Sequence, residues 1–336
     1  MRTLQPTASL TISENSLSSA GGTLTFTYSS SGASSCSLSS SPPFWAGNNP
    51  TPVSCNGTYR PTVSASSVDQ LWTFTFTATN ASDQSATSTQ TLEEAAAGPS
   101  FAPSENWSGY VVPSGGPVLT FASGEWTVPN LNCTDTPNSG ASFWVGIGGA
   151  EPGAGDLLQT GIRTDCVNGV QQNTGWWEEA PELPEIDFAG TYFPVSAGDS
   201  IQAEVFSLPN GCTANCEWET RIDDFTTGLS GTMITGEGWG VAPSRGGSYL
   251  YLDTTPSATY SGGTTAEWIV EDYKSGNSFV PFANFGTVSF GDLMLGGVSP
   301  WQLDSSEGTE IVQNGVALST PTAPGSDDFS VSYTGP

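Results

Sequence analysis

Thr265-Ala266-Glu267-Trp268-Ile269-Val270-Glu271-Asp272 alternates like a half-buried strand, with Glu267, Ile269 and Glu271 on one face and Ala266, Trp268 and Val270 on the other. A carboxylate in mid-strand among apolar neighbours costs free energy unless it is paired, hydrogen-bonded or protonated. Either this face is the wet side of an antiparallel sheet, or Glu267 is kept for its chemistry.

The same period of two recurs on both sides of this octapeptide. After residue 100 it runs through Asn106-Trp107-Ser108-Gly109-Tyr110-Val111-Val112, Gly124-Glu125-Trp126-Thr127-Val128, Ser142-Phe143-Trp144-Val145-Gly146-Ile147 and Asp156-Leu157-Leu158-Gln159-Thr160-Gly161-Ile162. It continues in Gly175-Trp176-Trp177-Glu178-Glu179-Ala180, Ser200-Ile201-Gln202-Ala203-Glu204-Val205-Phe206, Ser248-Tyr249-Leu250-Tyr251-Leu252 and Phe285-Gly286-Thr287-Val288-Ser289-Phe290. More than ten such strands, several divided by Gly-Asp or Asn-Gly turns, suit two packed antiparallel sheets. The fold class is all-β, and 40 Gly and 24 Pro supply the turns.

Upstream, residues 1–94 read as a separate small β-sandwich. Ser9–Ile12, Gly22–Tyr28 and Leu71–Ala78 alternate, with Cys36 and Cys55 between them, and resemble an immunoglobulin-like module. No chemistry is legible there, and Trp45, beside Pro42, Pro43 and Phe44, is expected to be a core or loop-anchoring aromatic. Residues 95–103, with Gly98-Pro99, break the alternation and are expected to be a linker to a second domain at 104–336.

Composition removes whole classes of function. Against 33 Asp plus Glu stand only Arg2, Arg60, Arg163, Arg221, Arg245 and Lys274, a formal charge of −27, so a basic nucleic-acid or membrane surface is excluded. Near the unperturbed carboxylate pKa of about 4 this repulsion fades, and the chain suits an acidic medium. It contains no histidine, which removes Ser-His and Cys-His nucleophiles, the HExxH motif and histidine metal ligation. Hydrolysis, if any, must run on carboxylates, amides or hydroxyls, and neither cofactor nor metal is expected.

Six cysteines fall as neighbours in sequence, and we expect disulfides Cys36–Cys55, Cys133–Cys166 and Cys212–Cys216, although six cysteines allow 15 pairings. An even count in a chain of this composition points to an oxidising compartment. No run of about 18 apolar residues exists. Met1–Leu10 lacks a signal-peptide core, so a secreted protein whose signal is not in this sequence is expected.

Read in order, Asn106-Trp107-Ser108-Gly109, Trp144-Val145-Gly146-Ile147, Leu158-Gln159-Thr160-Gly161, Trp176-Trp177-Glu178 with Pro181, Gly198-Asp199-Ser200-Ile201 and Ala266-Glu267-Trp268-Ile269-Val270-Glu271 resemble the eqolisin family of glutamic peptidases. The resemblance spans about residues 104–291, and its Leu-Gln-Thr-Gly and Ala-Glu-Trp-Ile-Val-Glu segments are the specific ones. It implies a concanavalin-like β-sandwich of two antiparallel sheets, preceded here by the immunoglobulin-like module in a bacterial-type arrangement. It further implies a secreted, acid-acting endopeptidase, a monomer acting on protein or peptide substrates, with Gln159 and Glu267 as catalytic dyad. Trp107, Trp144, Trp176 and Glu178 match substrate-binding positions of the cleft.

Three positions depart from the family pattern: Gly148 stands where an Asp commonly follows, Thr174 where an acid precedes the Trp-x-Glu segment, and Ala180 where an aromatic precedes the proline. Family members from fungi carry a propeptide, often basic, which residues 1–94 do not resemble. The alternatives are a carbohydrate-binding sandwich, which needs no Gln159, and a glycosidase using Glu178 and Glu267 as paired carboxylates. An aspartic peptidase is weaker, because Leu252-Asp253-Thr254-Thr255 lacks the glycine of that family's loop and has no second copy.

Overall fold

The computed structural model describes residues 5–17, 22–44, 49–63, 70–94, 101–150, 156–254, 259–298 and 301–335. Trp45 and residues 95–100 of the expected linker lie outside these. The chain divides into two compact units, Met1–Gly98 and Pro99–Pro336. Among the described residues the regular structure is all β apart from one 3-10 turn at Ser305–Glu307. No helix is long and apolar enough to cross a membrane.

In the first unit a five-stranded sheet, centred on Gln70–Thr79 between Ser85–Glu94 and Ser35–Ser41, shares a core with the three strands Ser9–Ile12, Phe26–Ser29 and Asn56–Tyr59. Alternation puts Phe74, Phe76 and Ala78 into that core and Thr73, Thr75, Thr77 and Thr79 on the other face. The segment Gly22–Tyr28, expected as one strand, is two. Leu24 gives its N–H to the Pro61 carbonyl and Thr25 its N–H to the Ser13 hydroxyl, so Gly22–Thr23 and Phe26–Ser29 pair with different partners.

The second unit is built of two layers. The first runs, strand by strand, Leu183–Asp187, Val170–Ala180, Leu157–Val167, Ser139–Ile147, Thr265–Glu271, Trp107–Pro113, Gly308–Gln313, Val316–Pro321 and Phe329–Tyr333. The second runs Phe121–Thr127, Ser200–Leu208, Glu217–Asp224, Leu229–Ile234, Gly238–Pro243 and Tyr251–Asp253. Ala102–Ser104, partly within the expected linker, adds a short parallel strand beside Gly308–Gln313.

One strand belongs to both layers. Thr287–Phe290 pairs with Phe329–Tyr333 in the first sheet, and Gly291–Gly296 pairs with Phe121–Thr127 in the second. The changeover falls at a bulge, where Asp292 takes a positive φ of 48°.

Between the layers lies one core, to which the first sheet gives Phe143, Val145, Ile147, Trp177 and Val270 and the second Ile201, Val205, Trp218, Ile222 and Val241. Trp268 ties the layers directly, its indole N–H donating to the Ser123 carbonyl at 2.7 Å. A buried indole that finds a partner in this way keeps its apolar area without leaving a polar atom unpaired. The cysteines pair as expected: Cys36–Cys55, Cys133–Cys166 and Cys212–Cys216.

Candidate active site

Because strands alternate, every residue of the first sheet that does not face the core faces away from the second sheet. On this outer face stand Trp107 and Val111, Glu267, Ile269 and Glu271, Trp144 and Gly146, Leu157 and Gln159, and Trp176 and Glu178. All six residues proposed from the sequence as catalytic or substrate-binding thus share one surface. The core-facing partners Ala266, Trp268 and Val270 confirm the phase of the central strand.

Register sets the geometry. Gly146 is the cross-strand partner of Gln159 on one side and of Glu267 on the other. The two functional side chains therefore start about 10 Å apart, two strand spacings, and flank a residue that has no side chain. A Cβ at Gly146 would lie 2.8 Å from Leu157 Cδ1 and 3.2 Å from Gln159 Cβ. The glycine keeps the space between amide and acid open.

The two groups are buried, Gln159 4% exposed and Glu267 0%. Gln159 Nε2 donates to Glu178 Oε2 at 2.6 Å, which fixes the amide so that its oxygen is the free end. Among the described residues, Gln159 Oε1 and both oxygens of Glu267 have no hydrogen-bond partner. Burial pushes the Glu267 pKa well above the carboxylate range; the Thr265 hydroxyl, on the same face but outside hydrogen-bonding geometry, opposes this by less. Burial also raises Glu178, against the hydrogen bond from Gln159.

A third acid on the face, beside Glu178 and Glu267, was not assigned a role from the sequence. Glu271 accepts from Trp144 Nε1 at 2.8 Å and from Asn106 Nδ2 at 2.9 Å. Burial nevertheless raises its pKa to about 7, with the Trp144 and Asn106 donors opposing and the Glu178 charge adding to the shift. The signal was present, since Glu271 shares the face of Glu267 by simple alternation and Asn106 opens the Asn-Trp-Ser-Gly segment. Tyr260, also unassigned, is buried beside the site, donates to the Ile147 carbonyl at 2.7 Å and is pushed upward by burial and by Glu267.

The aromatics divide by exposure. Trp144 and Trp176 pack with Leu157 and Ile269 as a buried floor, and Trp107, partly exposed, stands edge-on to Trp144 with ring centroids 5.1 Å apart. Gly148 has a φ of +96°, and a Cβ there would meet the Asp156 carbonyl oxygen at 2.1 Å. An aspartate at that position would need a different backbone. Ala180 packs on the Trp144 cluster, and Thr174 pairs with Arg163 along the next strand, away from the dyad.

Two packed layers with an amide, three carboxyls and a tryptophan floor on one outer face, in a chain free of histidine, leave carboxyl and amide groups as the chemistry on offer for a hydrolase. The chain belongs to the Peptidase A4 family, whose profile matches residues 105–234 and 244–333. It is 30% identical over 257 residues to Aspergillopepsin-2 of Aspergillus niger, covering 68% of this chain and 78% of that protein. The solved structure of scytalido-glutamic peptidase with a transition state analog inhibitor aligns with a TM-score of 0.52 at 26% identity, over 68% of this chain and 98% of that one. A second structure of that peptidase, with a peptide based transition state analog, aligns equally well. The chain is a glutamic endopeptidase, and the carbohydrate-binding and glycosidase alternatives give way.

Proposed function

We infer that this chain is a secreted peptidase that acts in acid as a monomer, with Gln159 and Glu267 as its catalytic dyad and the first unit as an immunoglobulin-like accessory module. The observation that carries the dyad is the set of three buried oxygens, Gln159 Oε1 and both of Glu267, that find no donor among the described residues on either side of Gly146. Buried acceptors of this kind are satisfied in native proteins by a donor from elsewhere. A water molecule has two donors and fits between an amide oxygen and a carboxylate.

In the reaction, Glu267 as carboxylate takes one proton from this water while the oxygen attacks the scissile carbonyl carbon. The Gln159 N–H not given to Glu178 donates to the developing oxyanion, and an uncharged amide keeps that donor in acid. Glu267 then passes its proton to the leaving nitrogen as the C–N bond breaks, so the water ends divided between the new carboxyl and the new amine. Hydrogen bonds donated to Glu267 by water favour its ionised form and draw its pKa down toward the acidic range.

Three disulfides support an oxidising destination. The test is cleavage of a denatured protein by the purified chain in acid, repeated with Glu267→Gln and Gln159→Ala. Both variants should fold and lose activity, the second by about 10² to 10³ in rate as for other oxyanion donors. Full turnover in either one removes that residue from the dyad.

A further inference from the structure

One strand beyond Glu267, on the same face, opens a cavity of about 530 Å³ lined by Ala102, Trp107, Val111, Pro113, Ser306 and Glu307, among others. Its position relative to the site follows from register. Val111 is the cross-strand partner of Glu267, and Trp107 that of Glu271. An extended peptide laid across Glu267 therefore places a nearby side chain over this cavity.

The lining is amphipathic in a particular way. Ala102, Val111, Pro113 and the Trp107 ring offer apolar walls, and among the described residues Glu307 is the one charged lining group. Glu307 Oε2 accepts the Asp304 N–H at 2.9 Å, closing a capping box on the 3-10 turn, and its other oxygen makes no hydrogen bond among the described residues. Asp304 next to it, held by the Ser306 N–H and hydroxyl, has a lowered pKa and adds negative charge at the same end. The hydroxyls nearby are already engaged, Thr309 to the Ala102 carbonyl and Ser104 by the Asn106 and Trp107 N–H groups.

Apolar walls that end in a carboxylate match a long aliphatic stem carrying a cation, and an indole face adds attraction for the same head group. We propose that this cavity is a substrate subsite that selects a lysine or arginine side chain, with Glu307 as the specificity-determining residue. The proposal rests on the peptidase reading of the Gln159–Glu267 face and extends it to the class of peptide cleaved.

The experiment uses the full chain and pairs of peptides that differ only by Lys or Met at one position, scanned on both sides of the cleaved bond. Met is of similar length and uncharged, and the assay is run at the highest pH at which cleavage persists, where Glu307 carries most charge. At one position Lys should be preferred about tenfold, the size of one partly screened charge contact reinforced by an aromatic face. In Glu307→Gln, whose amide oxygen still accepts the Asp304 N–H, that ratio should fall to about one while kcat/KM for the Met peptide stays within about twofold.

Ser306→Lys gives a second route that leaves the cap in place, and it should turn the preference against Lys. An unchanged Lys-to-Met ratio in both variants, or equal cleavage of Lys and Met peptides at every position by the unmodified chain, overturns the subsite. Should Glu267→Gln retain activity, the dyad falls while the ratio still judges the cavity. Failure of the unmodified chain to cleave any peptide overturns both.

Discussion

Glu267 is the residue whose cost is greatest: a carboxyl at 0% exposure with neither oxygen satisfied. Unless water or substrate donates to it, such a group stays neutral until the pH rises well above its ordinary range, and ionising it without a partner is destabilising. Glu267→Gln should therefore cut kcat by about 10² or more while leaving the thermal midpoint near neutral pH no lower than that of the unmodified chain; calorimetry and a turnover assay decide both halves. Glu271 is the contrasting case, since two N–H groups hold its carboxyl. Trp144→Phe removes one of them, and the loss should be about 1.5 to 3 kcal/mol when Glu271 is ionised. Urea unfolding should show a larger deficit above about pH 8 than at about pH 4, because the missing donor serves mainly the carboxylate. Both acids were visible in the sequence as alternate members of one strand face. What the sequence did not show is that one is donor-less and the other held, because that depends on Asn106 and Trp144 arriving from other strands.

At the level of strands, the site is a matter of register. Gly146 stands between Gln159 and Glu267, and a single added methyl would press on Leu157, Trp144 and Gln159. Gly146→Ala should cost about 1 to 3 kcal/mol by overpacking and lower kcat/KM by more than that stability loss accounts for, because the Gln159 amide is displaced. Unfolding midpoints read beside kinetics test this, and a destabilised variant with unaltered kcat/KM contradicts it. Alternation alone gave the faces of the Glu267 and Gln159 strands, since a one-residue slip would take Trp268 and Val270 out of the core between the layers. Order was another matter. That Ser139–Ile147 lies between the Gln159 and Glu267 strands, or that Thr287–Gly296 serves both layers, depends on long-range pairing that no local pattern encodes. The break at Leu24–Thr25 was hidden for the same reason: the Pro61 carbonyl and Ser13 hydroxyl that cause it are distant in sequence.

For the molecule as a whole, the acids set the pH range in which it survives. Burial is the first cause of the raised pKa values of Glu271 and Glu219, each about 7, and of Asp272, about 6, and it also pushes Glu267 well above the carboxylate range. A carboxyl that binds its proton more tightly when folded stabilises the fold fully below its unfolded pKa and loses that contribution as pH rises through the folded value. For Glu271, part-buried under its Trp144 and Asn106 donors, moving from 4.5 to about 7 is worth on the order of 3 kcal/mol. The urea midpoint should accordingly fall between about pH 4 and about pH 7, and a flat or rising profile would show that these groups find partners when folded. The two-unit division leads to a separate expectation: residues 99–336, made alone, should fold and cleave peptides at a rate within about twofold of the full chain, as domains with their own cores do. Adjacency in sequence foretold the disulfide pairs, whereas the cavity beside Glu267 was invisible because its charged residue lies forty positions downstream.

That cavity bears on the enzyme's own lifetime. A peptidase that chooses lysine or arginine meets only six such residues in a copy of itself. Arg163 is clasped by Asp165, Glu185 and Asp187, Arg221 by Asp223 and Glu204, and Lys274 sits 4.5 Å over the ring of Phe279. Scarcity of cationic side chains then works as protection against autolysis, so that concentrated enzyme can digest its surroundings without consuming its neighbours.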